Sequence, residues 1–253
     1  MVDRTSGVPA FRQVAADLRE KITAGQYAPG SQLPSERDLV ETYGVSRPTI
    51  RDAVNVLRTE GIVVAEHGRG VFVRPPASIQ RISRNRLSRE ARERNEGAFL
   101  ADAAALGFTP SSSVKVNFEA ADNRTAGYLD IEPGDEVTVR DRVMRANGLV
   151  VQLAVSRLPR ALTRGTAIEE VDTGKGGAYA RLEEAGHLIG RFAEHVGARM
   201  PTPQEASALQ VTPGVPVITV TRVAYGQDGK PLEMNDMVLP ADRYELSYEW
   251  EAD

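Results

Sequence analysis

The stretch that most restricts what this chain can fold into is residues 35–60, SERDLVETYGVSRPTIRDAVNVLRTE. It reads as two short helices divided at Tyr43-Gly44-Val45. Ser35 offers the hydroxyl of an N-cap, and Glu36 and Asp38 put negative charge in the first turn, where the helix dipole favours it. Leu39, Val40 and Tyr43 fall on one side, and Gly44 supplies the positive φ that ends a helix. Ser46 is a second N-cap. Pro48 is tolerated in the turn behind it, because its missing N–H has no intrahelical partner there. Ile50, Ala53, Val54 and Leu57 follow the spacing of a buried helix face, while Arg47, Thr49, Arg51 and Asn55 project from other sides. Arg47 and Arg51 are one turn apart, so both guanidinium forks reach a single surface. An apolar back, a preceding turn and forked donors near the N-terminus are what reading a major groove requires. An ordinary helix pair with a solvated basic face is the plainer alternative.

The flanks narrow the choice. Phe11, Val14, Leu18 and Ile22 predict an amphipathic helix that covers the pair and ends near Gly25. Downstream, GIVVAEHGRGVFVRP reads as a tight hairpin, with Ile62 and Val64 alternating on one strand and Val71 and Val73 on the other. His67 and Arg69 sit at its tip between glycines that permit positive φ. Three helices and a hairpin make a winged helix-turn-helix. The segments LPSERDL, YGVSRPTIRDAVNVLRTEGIV and HGRGVFV closely resemble the DNA-binding domain of the GntR family of bacterial transcription repressors, over about residues 8–76. The resemblance implies that Arg37 opens the first reading helix and contacts backbone or base. It further implies that Ser46, Arg47, Thr49 and Arg51 meet phosphates and base edges, and that His67, Gly68 and Arg69 set the wing against the minor groove.

A net charge of −4 argues against nucleic acid only until it is divided along the chain. Residues 1–94 hold 16 Lys and Arg against 11 Asp and Glu, and residues 95–253 hold 15 against 24. A basic part joined to an acidic part puts phosphate binding at the N-terminal side. No cysteine is present, which excludes disulfides and thiolate zinc sites. No apolar run approaches a membrane span, so the expectation is a soluble cytoplasmic protein with no membrane partner, no metal and no cofactor. The length suits one large domain or two ordinary ones, and the pattern favours two. Their expected limits are 1–76 for the winged helix, 77–94 for a linker, 95–246 for a second domain and 247–253 for a tail. Six arginines lie between 81 and 94, as either a phosphate-contacting strap or a solvated linker.

The second part carries a faint internal repeat. Leu129-Asp130-Ile131-Glu132-Pro133-Gly134 is answered 80 residues later by Leu209-Gln210-Val211-Thr212-Pro213-Gly214, and Val137, Arg142 and Val143 by Val217, Arg222 and Val223. Each copy reads as a strand, a turn and a strand, with Asn147-Gly148 a strong hairpin signal in the first. Thr202 and Glu205 have capping-box spacing around Pro203. Helical stretches at about 97–107 and 176–186 also lie about 80 apart. The expected second domain is α+β: a mostly antiparallel sheet of two pseudo-twofold halves with helices packed on it. Through LGFTPSS, LDIEPGDEV, RDRVMRANG and DGKPLEMNDMVLPADRYEL it resembles the UTRA effector-binding domain, of chorismate-lyase-like fold, that accompanies such winged helices in the subfamily typified by histidine-utilisation repressors.

Arg140 and Arg142 alternate onto one strand face, and paired forks suit phosphate or carboxylate. Cross-strand ion pairing with Glu136 or another carboxylate is the alternative. By the resemblance, Gln152, Tyr179 and Glu233 line an effector pocket, and Asn235 and Tyr244 join them. Two departures matter. Sugar-phosphate-sensing relatives carry a carboxylate where this chain has Gln152, and hydroxyls at the helix start matched by Gly97-Ala98-Phe99-Leu100. The ligand is therefore less polar or differently charged, or the domain holds none. No nucleophile elbow, phosphate-cradling loop or metal-ligand spacing appears, and Gly174-Lys175-Gly176-Gly177 reads as a flexible loop. The expected protein is a homodimeric, non-enzymatic repressor that binds double-stranded DNA at a pseudo-palindrome and is released by a small-molecule effector. A constitutive DNA-binding dimer is the second reading.

Overall fold

The computed structural model describes residues 2–3, 5–66, 68–74, 79–82, 98–211 and 214–248. The chain divides into two compact units, residues 1–78 with 211–216 and residues 79–210 with 217–253.

The first unit is the winged helix-turn-helix. Its elements are α1 (Ala10–Thr23), α2 (Glu36–Tyr43), α3 (Arg47–Thr59), β1 (Val63–Glu66) and β2 (Gly70–Val73). Ser35 caps α2 in a reciprocal capping box with Asp38, and Gly44 ends it in the left-handed region at φ +64°. Ser46 caps α3, with Pro48 in the first turn. Val14 and Leu18 of α1, Leu39 of α2, and Ile50 and Leu57 of α3 interlock in one core. Tyr43 ties α2 to α1 by donating to Asp17 at 2.5 Å and accepting from Lys21 at 3.3 Å. In the hairpin the register pairs Val63 with Val73, and these two face the core. Ile62 and Val64 are only partly buried, so the inward phase expected for the first strand is one residue off. The reason is that Gly61, at φ +74°, leads Ile62 out of the helix before pairing begins at Val63.

The second unit is built on a six-stranded antiparallel sheet. In chain order its elements are β3 (Ile79–Ile82), α4 (Ala98–Leu106), β4 (Pro110–Ala120), α5 (Asn123–Leu129), β5 (Glu136–Ala146), β6 (Leu149–Pro159), α6 (Arg160–Thr163), α7 (Gly177–Glu184), β7 (Ile189–Arg199), α8 (Pro203–Leu209), β8 (Val217–Gly226), β9 (Pro231–Pro240) and β10 (Tyr244–Ser247). The strand order β4-β5-β6-β9-β8-β7 is a palindrome of the two copies. The halves β4-β5-β6 and β7-β8-β9 meet where β6 pairs with β9. The repeat extends to local geometry. Asp130 and Gln210 end α5 and α8 in the left-handed region, at φ 53° and 52°. Asn147 and Gly148 both have positive φ in the β5–β6 turn, as a hairpin of that sequence requires.

The faces of the sheet are divided by the pleat. On one, α5 covers Val137, Val139 and Met234. On the other, Phe99 of α4 packs with Ala154 and Met237, and Leu182 of α7 packs with Leu158 and Leu232. The two pseudo-equivalent helices thus share that face, with polar strand residues between them.

Ile79–Ile82 of the expected linker pairs in parallel with Tyr244–Ser247, in a two-stranded sheet of the second unit. The rest of the linker, 77–78 and 83–94, lies outside the described residues.

Candidate nucleic-acid interface and ligand cavity

At the start of α3 the side chains expected to read DNA converge on one carboxylate. Arg47 Nε lies 3.1 Å and Arg51 Nε 2.9 Å from the two oxygens of Glu36, the first residue of α2. The bond from Arg51 is the main cause of the lowered Glu36 pKa, so the pair is charged at neutral pH. Both guanidinium groups remain well exposed, at 63% and 59% of their side-chain surface. Arg37 is more exposed still, at 79%, beside Asp38 at 3.7 Å. Ser46 and Thr49 share a hydroxyl contact of 2.8 Å at the N-terminus of α3. One turn of two helices therefore gathers Arg37, Ser46, Arg47, Thr49 and Arg51.

The wing tip supplies the other candidates. Gly68 and Gly70 have φ of +72° and +118°. Gln32 donates to the carbonyl of Arg69 at 2.8 Å, which anchors the tip to the segment before α2, and the Arg69 guanidinium lies 5.4 Å over the Phe72 ring. His67 lies outside the described residues.

The second unit contains a cavity of about 670 Å³ on the sheet face between α4 and α7. Arg140, Arg142, Gln152, Tyr179, Glu233 and Asn235 all line it, as six of the seven residues expected to hold an effector. The seventh, Tyr244, does not: it is buried on β10 among Phe99, Ala154 and Leu239, beside the cavity rather than on its wall. Its strand belongs to the small parallel sheet, a pairing that no turn or repeat signal marks.

The arginine pair divides its duties. Arg140 is buried and donates to the carbonyls of Ile168 at 2.6 Å, Glu170 at 2.5 Å and Val171 at 3.1 Å. Burial first, and the charge of Arg142 second, lower its pKa. It fastens the sheet to the loop that borders the cavity and has no ion pair with Glu136, which instead meets Arg160 at 2.5 Å. Arg142 donates to Ser156 Oγ and, at 3.3 Å, to Asn235 Oδ1, and its Nε is buried without a partner. Gln152 is 3% exposed, and its Oε1 likewise has no partner. Tyr179 donates to Glu233, and burial followed by that carboxylate raises the pKa of the phenol.

Arg222 was not among the expected ligand residues, yet it lines the cavity and is ion-paired with Glu194 at 2.7 Å, both side chains being almost wholly buried. It is the counterpart of Arg142 across the 80-residue repeat, which was the available signal. The loop of Gly174-Lys175-Gly176-Gly177 also borders the cavity, with positive φ at its three glycines, and it is held by Arg181 donating to the carbonyls of Thr173 and Lys175 at 3.3 Å.

Comparison with known proteins covers both units. Residues 10–73 match the bacterial regulatory proteins of the gntR family, and residues 105–245, more than half of the chain, match the UTRA domain. The chain belongs to the GntR family. An HTH-type transcriptional regulator of Streptomyces coelicolor is 31% identical over 96% of this chain and 93% of its own. The HTH-type transcriptional repressor NagR of Bacillus subtilis is 27% identical over 96% and 95%. Among solved structures, a GntR-family transcriptional regulator superposes with a TM-score of 0.67 at 31% identity, covering 97% of this chain and 98% of its own. PhnF from Mycobacterium smegmatis follows at 0.60 and 26%, covering 95% and 100%. The chain is thus a DNA-binding transcriptional regulator, with a UTRA effector-binding domain as its second unit. Among the described residues, no helix is long and apolar enough to cross a membrane.

Proposed function

We propose that this regulator acts as a homodimer on a pseudo-palindromic operator in the cytoplasm, and that a small molecule in the second-unit cavity releases it. The observation that carries the reading is the cavity wall itself. It presents a partnerless donor on Arg142 and a partnerless acceptor on Gln152 inside a domain that belongs to an effector-binding family. Buried polar groups without partners are uncommon in a fold that has no ligand to meet them. A constitutive regulator, the second reading, has no use for them.

On the DNA side, Arg47 and Arg51 read base edges in the major groove, Ser46, Thr49 and Arg37 position the helices on phosphates, and His67, Gly68 and Arg69 follow the minor groove. The arginines of the linker add phosphate contacts without sequence preference. Residues 1–74 hold 10 basic and 9 acidic side chains, so nearly all of the N-terminal positive surplus lies between 75 and 94. Two copies of α3 must match the twofold of the site. The effector weakens binding by favouring the arrangement of the dimer that fits the operator less well, and by no more than its differential affinity for the two arrangements.

The test is fluorescence anisotropy of a labelled fragment from upstream of this protein's own gene, at fixed salt, with and without a metabolite panel. Saturable binding that one class of metabolite reverses is the expected result. Arg51→Ala should cost about 1–3 kcal/mol and relax specificity at one base position. Undiminished affinity in Arg47→Ala and Arg51→Ala together would remove α3 from the groove. Binding that no metabolite disturbs would leave the constitutive reading in place.

A further inference from the structure

The charges and unpaired atoms of the cavity define the class of effector more narrowly than the family does, given the reading of the cavity as the effector site. Arg222 is neutralised by Glu194 at 2.7 Å. Glu233, beside the Tyr179 hydroxyl, offsets the charge of Arg140, whose forks are already spent on three backbone carbonyls. Asp172 and Lys175, both exposed on the bordering loop, cancel each other. Among the described residues one positive charge is left over. It belongs to Arg142, which has hydrogen bonds only to the uncharged Ser156 and Asn235 and a buried Nε with no acceptor. A half-buried guanidinium that no carboxylate meets among the described residues attracts an anion, through hydrogen bonds that charge strengthens. A single negative charge completes the site, whereas a doubly charged phosphate ester leaves one negative charge in excess.

Across the β5–β6 ladder, two residues further along, Gln152 pairs in register with Met144 and presents its unpartnered Oε1 to the same space. An acceptor so buried calls for a donor on the ligand. Between and around the two polar positions the wall is apolar: Phe99, Val114, Met144 and Met237. We infer that the effector is a singly charged organic carboxylate with an apolar body and a hydroxyl or N–H donor, the carboxylate on Arg142 and the donor on Gln152. Phosphorylated sugars are excluded as preferred ligands by the charge of the wall. The cavity volume of about 670 Å³ lies within the range of small-molecule sites.

Thermal shift of the full-length protein tests this with a matched series at constant ionic strength. The probes are ω-hydroxycarboxylates from hydroxybutanoate to hydroxydecanoate, the same acids without the hydroxyl, the corresponding neutral diols, and the ω-hydroxyalkyl phosphates. The expected result is a rise in Tm with at least one hydroxycarboxylate, smaller for the plain acid and absent for the diol and the phosphate. Arg142→Gln should abolish the rise for every acid. Gln152→Leu should erase the advantage of the hydroxyl while keeping the response to the plain acid. Gln152→Glu should abolish the response, because the introduced carboxylate neutralises Arg142. Without any probe, Gln152→Leu should raise the Tm by about 2–4 °C, since it removes an unsatisfied buried amide. Phosphates stabilising as strongly as the acids, or a series that nowhere exceeds chloride, would overturn the inference. Operator binding by the same samples separates the two levels. Intact binding released by a phosphate would sink the carboxylate class and leave the effector site standing. Loss of operator binding in the unaltered protein would sink the regulator reading itself.

Discussion

At the residue scale, Glu36 governs how the reading arginines meet DNA. It holds Arg47 and Arg51 through their Nε atoms at about 3 Å in the free protein, so its negative charge stands beside any guanine edge or phosphate that their terminal nitrogens meet. A carboxylate so placed weakens contact with any anionic surface and leaves contact with a correct base less affected, because the bidentate bond there compensates. Glu36→Gln should therefore tighten binding to scrambled DNA about tenfold at low salt, tighten operator binding less, and reduce the ratio between them. Anisotropy titrations against both fragments over a salt series would show it. An unchanged ratio would mean that Glu36 has no part in discrimination. The reading arginines were legible in the sequence because helix spacing alone puts Arg47 and Arg51 together. Glu36 was visible only as a helix-start acid, since its reach to α3 depends on how the two helices cross.

At the level of elements, the two halves of the second unit invite direct comparison. Their caps were readable because N-capping is local chemistry. Thr202 and Glu205 form the box that their spacing predicts, and Arg199 adds a two-pronged ion pair at 2.6 Å. With Arg199 as the main cause and the Thr202 N–H assisting, the Glu205 carboxyl is held down at about 2, against 4.5 ordinarily. A lowered folded-state pKa gives stability that is present above pH 4.5 and is lost as the pH falls toward 2. Glu205→Gln should therefore lower the Tm at pH 7, and the gap to the unaltered protein should close across that window. A gap that stays constant with pH would show that the loss is one of packing. In α5, Gly127 has ordinary helical φ, is exposed, and would meet nothing within 4 Å with a Cβ added. Gly127→Ala should stabilise by about 0.5–1 kcal/mol, read by urea denaturation. What sequence could not give at this scale was pairing without a turn signal. β3 finds β10 across more than 160 residues, with four residues on each side. The three carbonyls that occupy Arg140 are equally silent, because a backbone group leaves no mark on residue choice.

For the molecule as a whole, the two units have separate cores, and this has a thermodynamic consequence. Val14, Leu18, Ile50 and Leu57 stabilise only the first, while the buried Arg222–Glu194 pair lies wholly within the second. Arg222→Ala removes the cation beside the Glu194 carboxylate, to which Tyr248 still donates at 2.9 Å, in a site where both side chains of the pair are at most 10% exposed, and removing one partner of such a pair costs about 3–5 kcal/mol. Leu18→Ala opens a cavity in a fully buried position and costs about 2–5 kcal/mol. Differential scanning calorimetry of the full chain should resolve two transitions, one lowered by Leu18→Ala and the other by Arg222→Ala. Operator DNA should raise the first and a cavity ligand the second, because a ligand stabilises the unit that binds it. If each substitution lowered every transition equally, the chain would be one cooperative block. Ligand binding would then reach α3 through stability shared across the whole chain, rather than by shifting the arrangement of two independently stable units. Two separate transitions would require that signal to travel as a change in the arrangement of the two units rather than through a shared core.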